Sequence, residues 1–499
     1  MSTQNAILWF RQDLRLHDNE SLLDAIKSAR AVVPVYIFDP RVFGGTTPRY
    51  GFPKTGGYRA KFILESIADL RNSLRQRGND LVIRVGKPEE ILPRLSQEFR
   101  AGWVFCNRER THEEKQVQDT LEQELWSIGR EMRYNRGKML YYTADLPFPI
   151  SQTPDVFTNF RKETERIVPV RCPLETPRNV PRPIDLEIDY GQIPTLAELG
   201  IAELVQDERA AIHHRGGETA GLARLKHYLW DTDYAKTYKE TRNGLIGADY
   251  STKFSAWLAQ GCLSPKMIYQ EVKRYEEERG SNDSTYWIIF ELLWRDFFRF
   301  MIKKHGNTVF RKGGPKGEVD ESWTDDTELT ERWIAGETGT PFIDANMREI
   351  GTTGFMSNRG RQNVASFLVK DLHINWQIGA EYFESILIDY DVASNWCNWN
   401  YVAGVGSDPR ENRYFNILSQ AERYDPTGEY VRLWCPELAA LPNDYLHKPD
   451  QLNPGQLRDY GVSLGGSYPH PVVSSSKWSG GGSKGKGSHK GSRKTSRTR

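Results

Sequence analysis

The chain has 499 residues, too many for one ordinary domain and enough for two large cores. Its net charge of +1 hides an asymmetry: eight Lys/Arg and no acid lie between Lys477 and Arg499, so residues 1–476 carry −7. A body of that charge is not a duplex-coating protein, and a nucleic-acid site on it must be a local basic patch. No apolar run approaches the roughly 18 residues of a membrane span. MSTQNAILWF has no basic stretch ahead of an apolar segment, so no signal peptide is expected. Five scattered cysteines without a CxxC fit a reduced, intracellular, soluble protein without a disulfide framework. Ten histidines without an HExxH give no reason to expect a metal.

In residues 1–135, four short apolar runs rich in β-branched and aromatic residues begin at Ile7, Val32, Leu81 and Trp103. Amphipathic stretches separate them: SLLDAIKSA, YRAKFILESIADLRNSL and EEKQVQDTLEQELWSI. Buried strands alternating with helices predict an α/β domain with a Rossmann-like parallel sheet. The first strand is followed by RQDLRLHDN rather than GxGxxG, so no NAD site is expected there. Prolines cluster from Pro147 to Pro194, and residues 136–205 read as a connector on the surface.

Residues 206–475 read as an all-α domain. YWIIFELLWRDFFRFMI is apolar nearly all round, as a central helix is. In RQNVASFLVKDL, Val364, Phe367, Leu368 and Leu372 form one stripe at spacings of three and four. Residues 476–499 are mostly Gly, Ser, Lys and Arg, which cannot build a core, and read as a disordered basic tail.

Three motifs in the helical part carry polar groups in unusual places. STKFS sets Ser251, Thr252, Lys253 and Ser255 at the start of a helix, where hydroxyls and backbone N–H groups suit a phosphate or simply cap the helix. ELLWRDFF spaces Glu291 and Arg295 for an i,i+4 ion pair in an otherwise apolar helix. NRGRQNV sets Asn358, Arg359 and Arg361 before the next helix, either a phosphate site or a solvated charge cluster. LIDYDVASNWCNWNYVAGVG, from Leu387, then gathers acids, amides and aromatics around one cysteine without a nucleophile–base pair.

These motifs, in this order, resemble the photolyase/cryptochrome family over the whole chain apart from the basic tail. WFRQDLRLHDN resembles that family's first strand and turn, STKFSAWLAQGCLS its flavin-phosphate loop, and ELLWRDFF its substrate-facing helix. The segment from TGTPFIDANMREIG to NRYFNILSQ resembles its flavin domain. The nearest subgroup is the DASH-type cryptochromes: Gln362 stands where cyclobutane-dimer photolyases usually carry Met, and Tyr401 where they carry Trp.

The resemblance implies a light-driven, DNA-binding flavoprotein with one FAD in the helical domain. Tyr238, Ser251, Thr252, Lys253, Phe254, Ser255, Asn358, Arg361, Asp389, Asp391 and Asn395 would contact the flavin, with Asn395 facing ring nitrogen N5. Trp399, Trp376 and Trp323 would form the electron-hopping chain; read from the sequence alone, they are core tryptophans. Glu291 would hydrogen-bond a flipped pyrimidine dimer, with Trp294 and Tyr401 as walls. Arg295, Asn358, Arg359, Arg361 and Gln362 would serve the flavin, the lesion or the flanking phosphates. A second chromophore, methenyltetrahydrofolate, is expected between the domains, with Glu109 as its contact or else as a solvated surface acid.

The activity implied is that of a deoxyribodipyrimidine photo-lyase, acting as a monomer on single-stranded or damaged DNA. Two alternatives stay open on the sequence: a blue-light signalling cryptochrome with little repair, and a plain electron-transfer flavoprotein.

Overall fold

The computed structural model describes residues 4–410 and 413–479. The N-terminal part is a five-stranded, all-parallel sheet in the order β3-β2-β1-β4-β5. The strands are β1 Asn5–Phe10, β2 Val32–Phe38, β3 Val82–Val85, β4 Ala101–Asn107 and β5 Glu131–Asn135. Helices Glu20–Ser28, Gly57–Arg75, Pro88–Glu98 and His112–Ser127 supply the crossovers that parallel strands require. Pro34 lies within β2, where a missing N–H would normally break a ladder. The register explains its place: Pro34 pairs with Leu8 of β1, whereas pairing to β3 begins only at Val35. The sequence reading missed β5. EMRYN is a partly exposed edge strand whose composition carries no apolar run.

The connector is not without structure. Within it, helix Phe157–Ile167 buries Phe157 and Phe160 against the helical domain. From residue 218 onward the fold is helical around the Asp283–His305 helix, 23 residues long and capped by a reciprocal Asn282–Thr285 box. The stripe in RQNVASFLVKDL is buried as expected, but the helix changes pitch. Asn358–Ser366 is α-helical and Phe367–Asp371 is a π-turn. Such turns recur at functional sites.

Part of the segment expected to be a disordered tail is structured. Ser476–Ser479 form a helical turn, and Trp478 is buried against the helical domain because its indole supplies the apolar area that the rest of the segment lacks. Residues 480–499 lie outside the described residues. Among the described residues no helix is long and apolar enough to cross a membrane.

Candidate functional site

A cavity of about 300 Å³ opens inside the helical domain. Most of the expected site residues line it. Tyr238 and the run from Ser251 to Ser255 form one side. Asn358, Arg361, Gln362, Asp389, Asp391 and Asn395 form another, and Glu291, Arg295 and Trp399 complete it. Arg359, Trp294 and Tyr401 stand outside that lining, as do Trp376 and Trp323.

The STKFS loop does not act as a plain helix cap. The short helix after it, Ser255–Ala259, has Phe254 at its N-cap, with no side-chain cap bond. The hydroxyls of Ser251, Thr252 and Ser255 are therefore not spent on that position. Lys253 adopts φ +58°, unusual for a residue with a side chain. That turn puts a 3% exposed lysine in the cavity wall, with no hydrogen-bond partner for Nζ among the described residues; Nζ sits 3.3 Å from the Tyr250 ring centroid. Burial drives its pKa well below the usual lysine range. Only the more distant charges of Glu349 and Asp249 favour its protonation, so an anion brought into the cavity would restore the ammonium form.

The acids opposite are matched. Asp389 accepts from Arg361 at 2.9 Å. Burial works to raise its carboxyl, and the Arg361 charge overcomes it, leaving Asp389 below the usual range. Asp391 caps helix Val392–Ala403, accepting from the Ser394 N–H at 2.9 Å, and pairs with Arg299. Burial again opposes ionisation there, and the charges of Arg299 and Arg295 outweigh it. Asn395 lies one turn into the same helix. Its Nδ2 donates to the Ala380 carbonyl at 2.9 Å, which leaves the amide oxygen for the cavity. This donor set fits FAD: a cationic, hydroxyl-rich loop for phosphates, fixed carboxylates for ring and ribityl hydroxyls, and a carboxamide oxygen for a ring N–H.

The i,i+4 pair expected of Glu291 and Arg295 does not form. Arg295 donates to the carbonyls of Lys138 at 2.7 Å and Leu258 at 3.1 Å, tying the central helix to neighbouring loops. Glu291 instead pairs with Arg242, just past the end of helix Tyr238–Thr241. Burial raises its carboxyl, and Arg242 offsets that only in part. Spacing on one helix gives this pair little strength, so tertiary partners decide it.

Beside this mouth, Trp294 meets Tyr401 edge-to-face at 5.9 Å. Its indole is stacked on Phe157 at 3.7 Å, so the connector supplies a wall that no motif announced. The Tyr401 hydroxyl accepts from Arg413 at 2.8 Å, and Arg413 is itself held by Asp408. Among the described residues Arg359 has neutral hydrogen-bond partners, Gln362 at 3.0 Å, Asn243 at 3.1 Å and Gln420 at 3.5 Å, with Tyr424 under its guanidinium.

The three tryptophans of the expected chain are all buried. Trp399 packs against Gly379, where a Cβ would overlap the indole. Gly379 lies one turn from Trp376 in helix Trp376–Ile386. Trp323 precedes Thr324, which pairs with Ile374 just before Trp376.

A smaller cavity of about 60 Å³ lies between the two domains, lined by Glu109, Lys138, Arg299 and, again, Asp391. Glu109 is not a solvated surface acid: it is 7% exposed and paired with Lys138. Sequence reasoning missed Arg242, Arg299, Lys138 and Arg413. Arg299 alone had a signal, standing four residues after Arg295 on the same helix face.

Residues 287–479 match the model of the FAD binding domain of DNA photolyase, and residues 6–181 that of DNA photolyase. A cryptochrome DASH of Gloeobacter violaceus is 53% identical over 473 residues, 95% of this chain and 94% of that one. The crystal structure of a Synechocystis cryptochrome superposes with a TM-score of 0.91 at 48% identity, covering 96% of this chain and 98% of that one. A class III photolyase from Agrobacterium tumefaciens gives 0.81 at 31%, covering 96% of each chain. The chain therefore belongs to the photolyase/cryptochrome family, in its cryptochrome DASH group, and carries that family's FAD-binding domain.

Proposed function

We propose that this protein repairs cyclobutane pyrimidine dimers in light, with a preference for single-stranded DNA. The observation that carries the reading is the mouth of the large cavity. A half-buried carboxyl, Glu291, held by Arg242, faces the cavity beside the Trp294–Tyr401 corner. Bound FAD would supply a light-excited electron donor. The residues of the chain bind and orient. Lys253 and the hydroxyls of Ser251, Thr252 and Ser255 would hold the phosphates, Asp389 and Asp391 the polyol and ring, and Asn395 the N5 edge. Trp399, which lines the cavity, with Trp376 and Trp323 would relay electrons to the flavin.

Glu291 is the hydrogen-bonding group for a flipped lesion, and burial keeps its proton more available than an ordinary carboxyl would. A lesion in duplex must leave its stack, a step that photolyases share with other base-flipping enzymes and that costs on the order of a few kcal/mol. Tyr401 offers less stacking area than Trp, and its hydroxyl is already engaged by Arg413. The pocket then recovers less of the unpairing cost, which favours single strands. One end of methenyltetrahydrofolate would reach the smaller cavity, against Glu109 and Lys138.

The test is light-dependent splitting of one dimer in matched single- and double-stranded oligonucleotides at fixed salt. Faster repair of the single strand is expected, and Glu291→Ala should lower yield on both. Equal yields would refute the strand preference. No splitting on either substrate would favour a blue-light signalling role.

A further inference from the structure

The C-terminal segment 474–479 is held to the helical domain by more contacts than its composition accounts for. The Trp478 indole N–H donates to the Tyr414 hydroxyl at 2.6 Å. Asn416 donates from Nδ2 to the Trp478 carbonyl at 3.0 Å, while its Oδ1 caps helix Ile417–Tyr424. Lys477 pairs at 2.6 Å with Asp371, the last residue of the π-turn, and the Tyr414 hydroxyl donates to the same carboxylate oxygen at 3.0 Å. On its other side the segment is tied to Asp450 and Gln451.

These contacts converge on one place. Tyr414 follows Arg413, the residue whose guanidinium reaches the Tyr401 hydroxyl. The Tyr414 hydroxyl is thus shared by Trp478 and Asp371, one residue from the group that fixes the lesion wall.

We propose that the Lys477–Trp478 clip is a positioning element of the substrate mouth. It holds the segment around Arg413–Asn416 so that Arg413 stays on Tyr401. The inference rests on the lesion-binding reading for its consequence in binding, but not for its effect on the segment itself. Lys477 and Trp478 touch neither cavity, so the clip acts through Tyr414, Arg413 and Tyr401. Lys477 is also the first of the eight C-terminal cations. Its charge is committed to Asp371, unlike a cation free to meet phosphate.

The experiment uses the full chain with its flavin. Tyr414→Phe removes only the shared hydroxyl, and Trp478→Ala removes the anchor. Both should weaken binding of a single-stranded oligonucleotide carrying one dimer by about threefold to tenfold, the scale of one or two hydrogen bonds. Flavin content should stay at the wild-type level, and repair should lose in KM rather than kcat. In a double-mutant cycle with Tyr401→Phe, the losses should be less than additive, because both changes cut the same chain of contacts. Amide exchange across 404–416 should quicken in both variants with no DNA present. Unchanged exchange together with unchanged affinity would overturn the clip. Should the wild-type protein bind no dimer at all, the lesion reading fails, and the exchange measurement still decides whether the clip holds the segment.

Discussion

The two cavities share Asp391 but are built differently. The large one lies within the helical domain and leaves the Lys253 Nζ without a hydrogen-bond partner among the described residues. The small one sits between the domains, and its buried acid Glu109 is already matched by Lys138. An unpartnered buried cation marks a site that a ligand must complete, whereas a paired one marks a seam that holds by itself. The difference predicts that the large cavity depends on its cofactor more than the small one depends on any second chromophore.

The comparison can be broken most sharply at Trp399. Trp399→Phe should stop or strongly slow light-driven reduction of the bound flavin by an external thiol while flavin content stays unchanged. Transient and steady-state absorption check it, and a wild-type rate would remove Trp399 from the path.

The shared wall comes next. Asp391→Ala strands Arg299 in a buried place and removes a helix cap. Breaking such a pair costs about 3–5 kcal/mol. Urea unfolding should read that loss, and purified protein should carry less flavin.

Glu349 tests the large cavity from behind. Burial raises its carboxyl from 4.5 to about 7, against the Tyr430 hydrogen bond and the charges of Lys253 and Arg361. The folded state then holds a proton that the unfolded chain has released, so stability falls as pH rises from 4.5 to about 7 and levels off above. Glu349→Gln should be more stable than wild type by about 3 kcal/mol at pH 8, the gap closing as pH falls to 4.5 and below. Thermal unfolding across that range checks the sign.

Glu109→Gln sharpens the contrast from the other side. It should alter or abolish binding of a folate added to the purified protein and leave flavin content intact, as absorption spectra of the two chromophores would report.

The smallest effect belongs to the tail. Deleting residues 480–499 removes seven of the eight C-terminal cations and should flatten the fall of DNA affinity with salt. An unchanged slope would assign those charges another task.

Much of this was legible in the sequence because the relevant residues are local. STKFS, ELLWRDFF, NRGRQ and DYDVASN each carry several cavity residues within one turn or helix face, and alternation of strands and helices in 1–135 is a short-range pattern. Four of the five strands announce themselves by apolar runs, while β5 is an edge strand that only its pairing to β4 defines. What the tertiary structure alone decided is the pairing of charges. Glu291 takes Arg242 rather than Arg295, Asp391 takes Arg299, Glu109 takes Lys138 and Tyr401 takes Arg413. Each pair joins residues from different elements. Chain spacing cannot rank such partners, because burial and the approach of a separate helix or loop set the strength of a charge interaction. The same holds for Phe157 behind Trp294 and Trp478 on Tyr414. Their aromatic character is written in the sequence, but the surfaces they cover exist only once the chain has folded back on itself.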